Sequence, residues 1–368
     1  MNTANNDEKK RILDGLIELF GHHRRWLLFF GTGTSCALDQ RFGMPALQAH
    51  LSAELTGDPD WAKVEAELGA GKTLEAALTG VGVSPGTKAK FRQVTGEFVA
   101  GIDREFRDDL LLGKREWVGA RLMKTLVGRL PARNPRLSVI TSNYDMLIEY
   151  ACSFLRIRCT TGFAGGLTRG WNWKAVQDGL NQCRVSREGS RGMVLTSPLP
   201  RVELFKVHGS INRFTMVNQQ IECDLWTNGP PSGLERDVAV PGDLKYEQYA
   251  INNMDTVSHA MRVENEASAF AMMGYGFNDP HLHQRIMSRV QTQDCPLVVL
   301  TMDLAPSEIA TVRGMGSRVW FLVAPRVSGG GNDLSKTVVY MPGEPDGLVL
   351  DGEDLWNCDS FAEKILGG

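Results

Sequence analysis

The stretch Trp26-Leu27-Leu28-Phe29-Phe30-Gly31-Thr32-Gly33-Thr34-Ser35 decides the fold. Apolar residues in a run, without polar alternation, read as a strand buried on both faces, the kind found in parallel sheets. The run breaks into a Gly-rich turn, and a new helical pattern starts near Met44-Pro45, where Pro suits a first helical turn. Upstream, Ile12, Leu13, Leu16, Ile17, Leu19 and Phe20 recur at helical spacing, with Asp7 as the expected cap. Downstream the strand-then-polar-loop unit repeats. Leu137 to Thr141 runs into Ser142-Asn143-Tyr144-Asp145, Val202 to Val207 into His208-Gly209-Ser210, and Phe270 to Met273 into Gly274-Tyr275-Gly276-Phe277-Asn278-Asp279-Pro280. Leu297 to Leu300 and Val319 to Val323 read as further buried strands. Short strands alternating with helices predict an α/β fold, a doubly wound and mostly parallel Rossmann-like sheet with ligand loops at the carboxyl ends of its strands.

Segments of other character interrupt this frame. From 45 to 130 helix follows helix, broken at Gly57-Asp58-Pro59, Gly80 to Pro85 and Gly113, which predicts a helical subdomain inserted after the first strand. Residues 160–200, rich in Gly, Arg and Ser and carrying Trp171 and Trp173, read as a long irregular insertion, a class of segment that is often functional. A polar segment with Gly229-Pro230-Pro231 runs on to about 264, and Ser328-Gly329-Gly330-Gly331 reads as a flexible link. The expected organisation is one catalytic domain over 1–325 and a short C-terminal appendage over 326–368.

Composition narrows the classes. With 368 residues, 42% hydrophobic and 23% charged, the chain can bury a sizeable core, and disorder is excluded. No apolar run approaches the roughly 18 residues of a membrane span, and the polar stretch MNTANNDEKK is not expected to act as a signal or transit peptide. The 40 basic and 43 acidic residues, net charge -3, exclude a uniformly basic nucleic-acid binder but leave a local patch, and so direct nucleic-acid binding, open. The seven cysteines, Cys36, Cys152, Cys159, Cys183, Cys223, Cys295 and Cys358, contain no CxxC pair, so neither a zinc module nor any other metal is expected. The expected compartment is the reducing cytoplasm.

Each polar loop has an ordinary structural reading beside a chemical one. Gly31 and Gly33 would let the backbone approach a pyrophosphate, and the turn before a helix offers amides to it. A dehydrogenase fingerprint would place a third Gly at position 36, where Cys36 stands, and would need an acid-ended strand about 20 residues later, so a Rossmann dehydrogenase is disfavoured. Asn143 suits a helix N-cap and Asp145 a first turn. His208 is a lone histidine at a strand end, and Asp279-Pro280 suits a cap followed by a first helical residue. His22, His23, His50 and His259 read as solvated or helix-face residues; His281 and His283 lie near the fourth loop.

Taken in order, GTGTS at 31–35, TSNYD at 141–145, KVHGS at 206–210 and GYGFNDPH at 274–281 resemble the sirtuin superfamily, and most of all the bacterial SIR2-like proteins of antiphage defence. The resemblance implies that NAD is the substrate. It makes His208 the general base, Asn143 the residue that orients the ribose or the attacking water, and Asp145 the acid on the nicotinamide carboxamide side. It assigns Gly31, Thr32, Gly33, Thr34 and Ser35 to the phosphates, with Gly209 and Ser210 flanking the base. Gly274 and Tyr275 would face the adenine ribose. Asp303 stands near where many sirtuins hold adenosine with an Asn, and would accept from a ribose hydroxyl.

Two departures separate the chain from the deacylases. They carry a zinc module of two CxxC pairs, absent here, and an acid and an arginine where this chain has Gly43-Met44-Pro45-Ala46-Leu47. The implied activity is therefore an NAD glycohydrolase releasing nicotinamide and ADP-ribose, or a cyclised product, that depletes NAD in antiphage defence. The alternatives are an NAD-dependent deacylase or ADP-ribosyltransferase, or a DNA-associated nuclease or assembly subunit of a defence complex. An ungated NAD hydrolase would kill its own cell, so a homo-oligomer is expected, with a HerA-type DNA-translocating ATPase as partner.

Overall fold

The computed structural model describes residues 2–22, 25–186, 193–217, 219–239, 254–327 and 330–368. The chain opens with strand β1 (Asn2–Thr3) and helix α1 (Asn6–His22). The cap of α1 is Asn5, not Asp7. Asn5 Oδ1 accepts from the Glu8 amide at 3.0 Å, and the Glu8 carboxylate accepts from the Asn5 amide at 2.8 Å, a reciprocal box that needs the acid three residues after the cap.

Strand β2 (Trp26–Phe30) is buried along its whole length and leads through the one-turn helix α2 (Gly33–Cys36) into the helical insertion. This comprises α3 (Met44–Glu54), α4 (Pro59–Gly69), α5 (Leu74–Gly80) and the long α6 (Pro85–Leu111), followed by α7 (Ala120–Gly128). Asp58, Thr73 and Ser84 cap α4, α5 and α6 with side-chain oxygens, so the Gly/Pro breaks in the sequence are where helices begin. Leu47, Leu51, Trp61, Val64, Leu78 and Phe91 give the insertion a core of its own.

After β3 (Arg136–Thr141) and α8 (Leu147–Phe154) the chain forms β4 (Arg158–Thr160), β5 (Phe163–Gly165), β6 (Arg169–Trp171), α9 (Trp173–Gly179) and the hairpin β7 (Asn181–Ser186) with β8 (Met193–Pro198). The described part of 160–200 is thus regular structure, not an irregular insertion; residues 187–192 lie outside the described residues. Three-residue strands are too short to show a period-2 pattern. Then follow β9 (Arg201–Lys206), β10 (Gly209–Met216), β11 (Gln219–Glu222) and β12 (Glu235–Val238). The segment read as polar after Ser210 therefore supplies strands; Asn218 and residues 240–253 of it lie outside the described residues. These strands join β5 and β6 in a second, antiparallel sheet of order β12-β10-β11-β6-β5. Its inward residues include Arg213, Glu222 and Arg236, all buried, and Arg213 Nη2 meets Glu222 Oε1 at 3.1 Å. Paired buried charges hid these strands, because the pattern they leave in sequence is polar.

The chain closes with α10 (Met254–Glu266), β13 (Ala269–Met273), α11 (Pro280–Gln293), β14 (Leu297–Thr301), α12 (Pro306–Arg313), β15 (Val319–Val323), β16 (Thr337–Met341), β17 (Glu344–Leu350) and α13 (Cys358–Leu366). The main sheet has ten strands in the order β1-β17-β16-β15-β14-β13-β2-β3-β9-β4. From β15 to β4 neighbours are parallel; β15–β16 and β16–β17 are antiparallel. Residues 326–368, read as an appendage, are thus built into this sheet. Phe361 of α13 packs edge-on against Phe20 of α1, with ring centroids 5.3 Å apart. Ser328 and Gly329 of the expected link lie outside the described residues. Among the described residues no helix is long and apolar enough to cross a membrane.

Candidate active site

The strands that carry the four motifs are neighbours, in the order β13-β2-β3-β9, and all run parallel, so their loops emerge at one edge of the sheet. From β2 the chain moves on to β3, while β13 on its other side moves away to β14; a strand-order reversal of this kind opens a crevice at the carboxyl ends.

At that reversal the first and fourth loops lie backbone against backbone. Gly33 N donates to Gly274 O at 2.9 Å, and Gly31 N to Met273 O at 2.8 Å. A Cβ on Gly31 would stand 2.6 Å from Gly274 O, and one on Gly274, whose φ is +57°, 2.6 Å from the Thr34 amide nitrogen. The glycines are therefore required by the contact between loops. The amides of Thr34 and Ser35 are also bonded within the turn, to Gly31 O and Thr32 O, each at 3.0 Å. Half-exposed Thr32 and exposed Gly33 are what the turn presents outward.

The second loop reaches back to the first. Thr141 Oγ1 donates to Phe30 O at 2.8 Å and accepts from the Asn143 amide at 3.1 Å, which turns Asn143 toward β2. Asn143 Nδ2 then donates to Gly31 O at 3.1 Å and to Ser35 Oγ at 2.9 Å, and Ser35 Oγ donates to Asp145 Oδ2 at 2.7 Å. Ser35, Asn143 and Asp145 are 1%, 7% and 5% exposed. With the Asn143 amide nitrogen engaged twice, its Oδ1 is the acceptor left over, buried and without a hydrogen-bond partner. Asp145 Oδ1 accepts from the Leu147 amide at 3.3 Å, at the start of α8. Burial raises the Asp145 carboxyl above its ordinary range, while the Lys206 charge and the Ser35 hydroxyl pull it down. Cys36 next door is pushed up to about 11 by burial and by the charges of Asp145 and Asp39, so it stays a thiol at neutral pH and is no nucleophile.

His208 leaves β9 beside this relay, buried, with Nε2 3.5 Å from Asp279 Oδ2 on the fourth loop. Asp279 also caps α11 by accepting from the His281 amide at 3.2 Å. Tyr275 OH donates to Asp279 O at 2.9 Å and lies 3.0 Å from His283 Nδ1. Gly209, at φ +85°, is pressed against β12; a Cβ there would stand 1.9 Å from Asp237 O. Ser210 Oγ and the Ile211 amide both donate to Tyr144 O, at 3.4 and 3.0 Å, and Tyr144 OH donates to Ala239 O, which joins the second loop to the third.

The structure adds residues that the motifs did not single out. Lys206 Nζ, fully buried, donates to the carbonyls of Tyr144, at 3.3 Å, and Asp145, and to Glu149 Oε1 at 3.0 Å. Asp103 of α6 accepts from the Met146 amide at 2.8 Å and from Tyr150 OH at 2.5 Å, and burial pushes its carboxyl up to about 7. A lysine closing an apolar strand was the available signal for the first; nothing local marks Asp103.

Asp303 lies at the end of β14, exposed, with its carboxylate held by Arg326 Nε at 2.8 Å and Nη2 at 3.1 Å. Trp171 and Trp173 stack at 6.1 Å, and both rings pack on His259, Trp173 at 4.5 Å and Trp171 at 5.4 Å. His50 stacks on Phe98 at 4.5 Å in a cavity of about 460 Å³ between α3 and α6, which none of the motif residues lines. His22 is exposed beside Glu18, and His23 lies outside the described residues. Among the described residues no group of three or more His, Cys, Asp or Glu is placed to hold a metal ion.

Comparison with known proteins finds no curated protein that matches the chain in sequence. Solved structures resemble it distantly. One described as the structural basis for the mechanism and regulation of Sir2 enzymes is 12% identical over 98% of both chains, with a TM-score of 0.42. One described as the structural basis for sirtuin substrate affinity is 11% identical over 83% of this chain and 91% of its own, with a TM-score of 0.40. A Sir2 mutant with a peptide and NAD is 11% identical over the same shares, with a TM-score of 0.38. Residues 137–296, which hold the second, third and fourth motif loops, match the family model of the SIR2-like domain.

Proposed function

We propose that the chain binds NAD at the carboxyl ends of β13, β2, β3 and β9 and hydrolyses its nicotinamide–ribose bond. The observation that carries the reading is the Asn143–Ser35–Asp145 relay: a buried amide fixed through its nitrogen, with an acceptor oxygen left for a ligand. A buried acceptor of this kind costs about 1–3 kcal/mol unless something donates to it. A ribose hydroxyl or an attacking water is the donor this reaction brings.

The leaving nicotinamide is already cationic in NAD, so the chain need not supply a strong acid. Its tasks are to position water and to take a proton. The C1′–N bond breaks, the water oxygen bonds to C1′, nicotinamide leaves neutral, and the water proton passes to His208 and then to solvent. His208 suits the base, because an imidazole can accept a proton from water and the Asp279 carboxylate, 3.5 Å away, faces the imidazolium that forms. Asp145 acts through Ser35, since both of its oxygens accept bonds from the protein. Thr32 and Gly33, the outward part of the first loop, would meet the phosphates, Gly274 and Tyr275 would border the adenine ribose, and Asp303 would be available to it on release from Arg326.

The same motif resemblance motivates the wider proposals: NAD depletion in antiphage defence, control through a homo-oligomer, and a HerA-type ATPase as partner. The test is chromatography of nicotinamide and ADP-ribose after incubation with NAD, alone, with an acylated peptide, and with such an ATPase. Release of both products, absent in folded His208→Ala and Asn143→Ala, is expected. Turnover only with the acylated peptide would replace hydrolysis by deacylation, and no turnover under any condition would overturn the reading.

A further inference from the structure

Lys206 is the last residue of β9, two before His208, and its ammonium has three donors, all of them taken by the chain. Two go to the successive carbonyls of Tyr144 and Asp145, and the third to Glu149 on the first turn of α8. The Tyr144 carbonyl is shared with Ser210 and Ile211, so the turn that aims Asn143 is stitched to the strand that aims His208 at one point. A lysine costs several kcal/mol to desolvate, and its bonds to the 144–145 turn and to Glu149 are what offset that cost here.

We propose that Lys206 is a positioning residue of this site, which ties the 144–145 turn to β9 and sets a cation beside the Asp145 side chain that accepts from Ser35. The role assigned to the site rests on the NAD-cleavage reading above. The charged and titratable groups around Asp145 are Lys206 from β9, Glu149 from α8, Asp103 from α6 and Cys36 from α2, with the Ser35 hydroxyl in contact. Lys206 is the cation among them, and Glu149 competes with Asp145 for its charge.

Three variants of the full chain test this: Lys206→Met, Lys206→Arg and Glu149→Gln. Each is checked for folding by thermal melting, then assayed for kcat/KM on NAD across pH. Lys206→Met is expected to lose about tenfold or more in kcat/KM and to move the acidic limb of the profile up by about one pH unit or more, the effect of removing a neighbouring opposite charge. Lys206→Arg restores the limb in part. Glu149→Gln keeps an acceptor for Lys206 and moves the limb down. A purely structural lesion would lower the whole curve and leave its limb in place. An unmoved midpoint of the Asp145 carboxyl titration in Lys206→Met overturns the proposal, and if that variant does not fold, an unmoved midpoint in Glu149→Gln does so. If the wild type cleaves no NAD, the functional reading fails by itself. The same variants are then read by the NMR titration of a carbon-13-labelled Asp145 carboxyl, whose midpoint must shift in the same directions.

Discussion

Replacing Ser35 by Ala removes one oxygen and breaks two bonds in the centre of the site. Ser35 Oγ donates to Asp145 Oδ2 at 2.7 Å and accepts from Asn143 Nδ2 at 2.9 Å. A buried bond to a charged acceptor contributes about 1.5–3 kcal/mol, and a neutral one about 1 kcal/mol. The second loss is partial, because Asn143 Nδ2 keeps Gly31 O. Asp145 can also limit the first by taking up a proton. The expected loss is therefore about 2–3 kcal/mol in urea unfolding, with the slope m unchanged. Asn143 is then held by one bond instead of two, and misplacement of a positioning group by about 1 Å costs on the order of a hundredfold in rate. Thr34→Ala is the internal control. Its hydroxyl donates to Gly31 O at 2.8 Å in the same turn and touches neither Asn143 nor Asp145. That variant should lose about 1 kcal/mol in urea unfolding, the reference against which the loss in Ser35→Ala is read. Ser35→Ala with wild-type turnover and no greater loss of stability than Thr34→Ala would refute the relay as the organising element.

Gly209→Ala should destabilise the chain by about 3 kcal/mol or more, from left-handed strain plus the clash with Asp237 O; a urea midpoint within error of wild type would contradict the β10–β12 contact. Asp103 binds its proton up to about pH 7 in the folded chain, whereas an ordinary Asp releases it near 4. Between those values the folded state holds more protons than the unfolded one, so this group's contribution to stability falls as pH rises through the window. Melting temperatures measured from pH 4 to 8 should fall more steeply in wild type than in Asp103→Asn; parallel curves would reject the assignment. Elemental analysis of the purified chain should find no stoichiometric zinc, because no paired cysteine spacing exists to hold it, and zinc whose chelation unfolds the protein would defeat that expectation.

The central strands were legible because a strand buried on both faces must be apolar at every position; Trp26–Phe30, Ala269–Met273 and Leu297–Thr301 stand out without any partner being known. Helix starts in the insertion were legible for a similarly local reason, since a cap and the turn it closes lie within a few residues. The second sheet was not, because Arg213 and Glu222 satisfy each other inside it and read as surface when taken singly. Nor was the place of residues 326–368, whose β16 joins the sheet only by pairing with the distant β15, and whose β17 pairs with β16 and with β1 from the far end of the chain. The candidate site divides in the same way. His208, Asn143 and Asp145 could be named from their loops. That Ser35 joins Asn143 to Asp145, across 110 positions of chain, and that the glycines of the first loop serve a neighbouring loop, followed only from the order β13-β2-β3-β9. Local pattern records which residues must be buried or must turn. Which distant groups meet is set by strand order, and that is decided when the whole sheet packs.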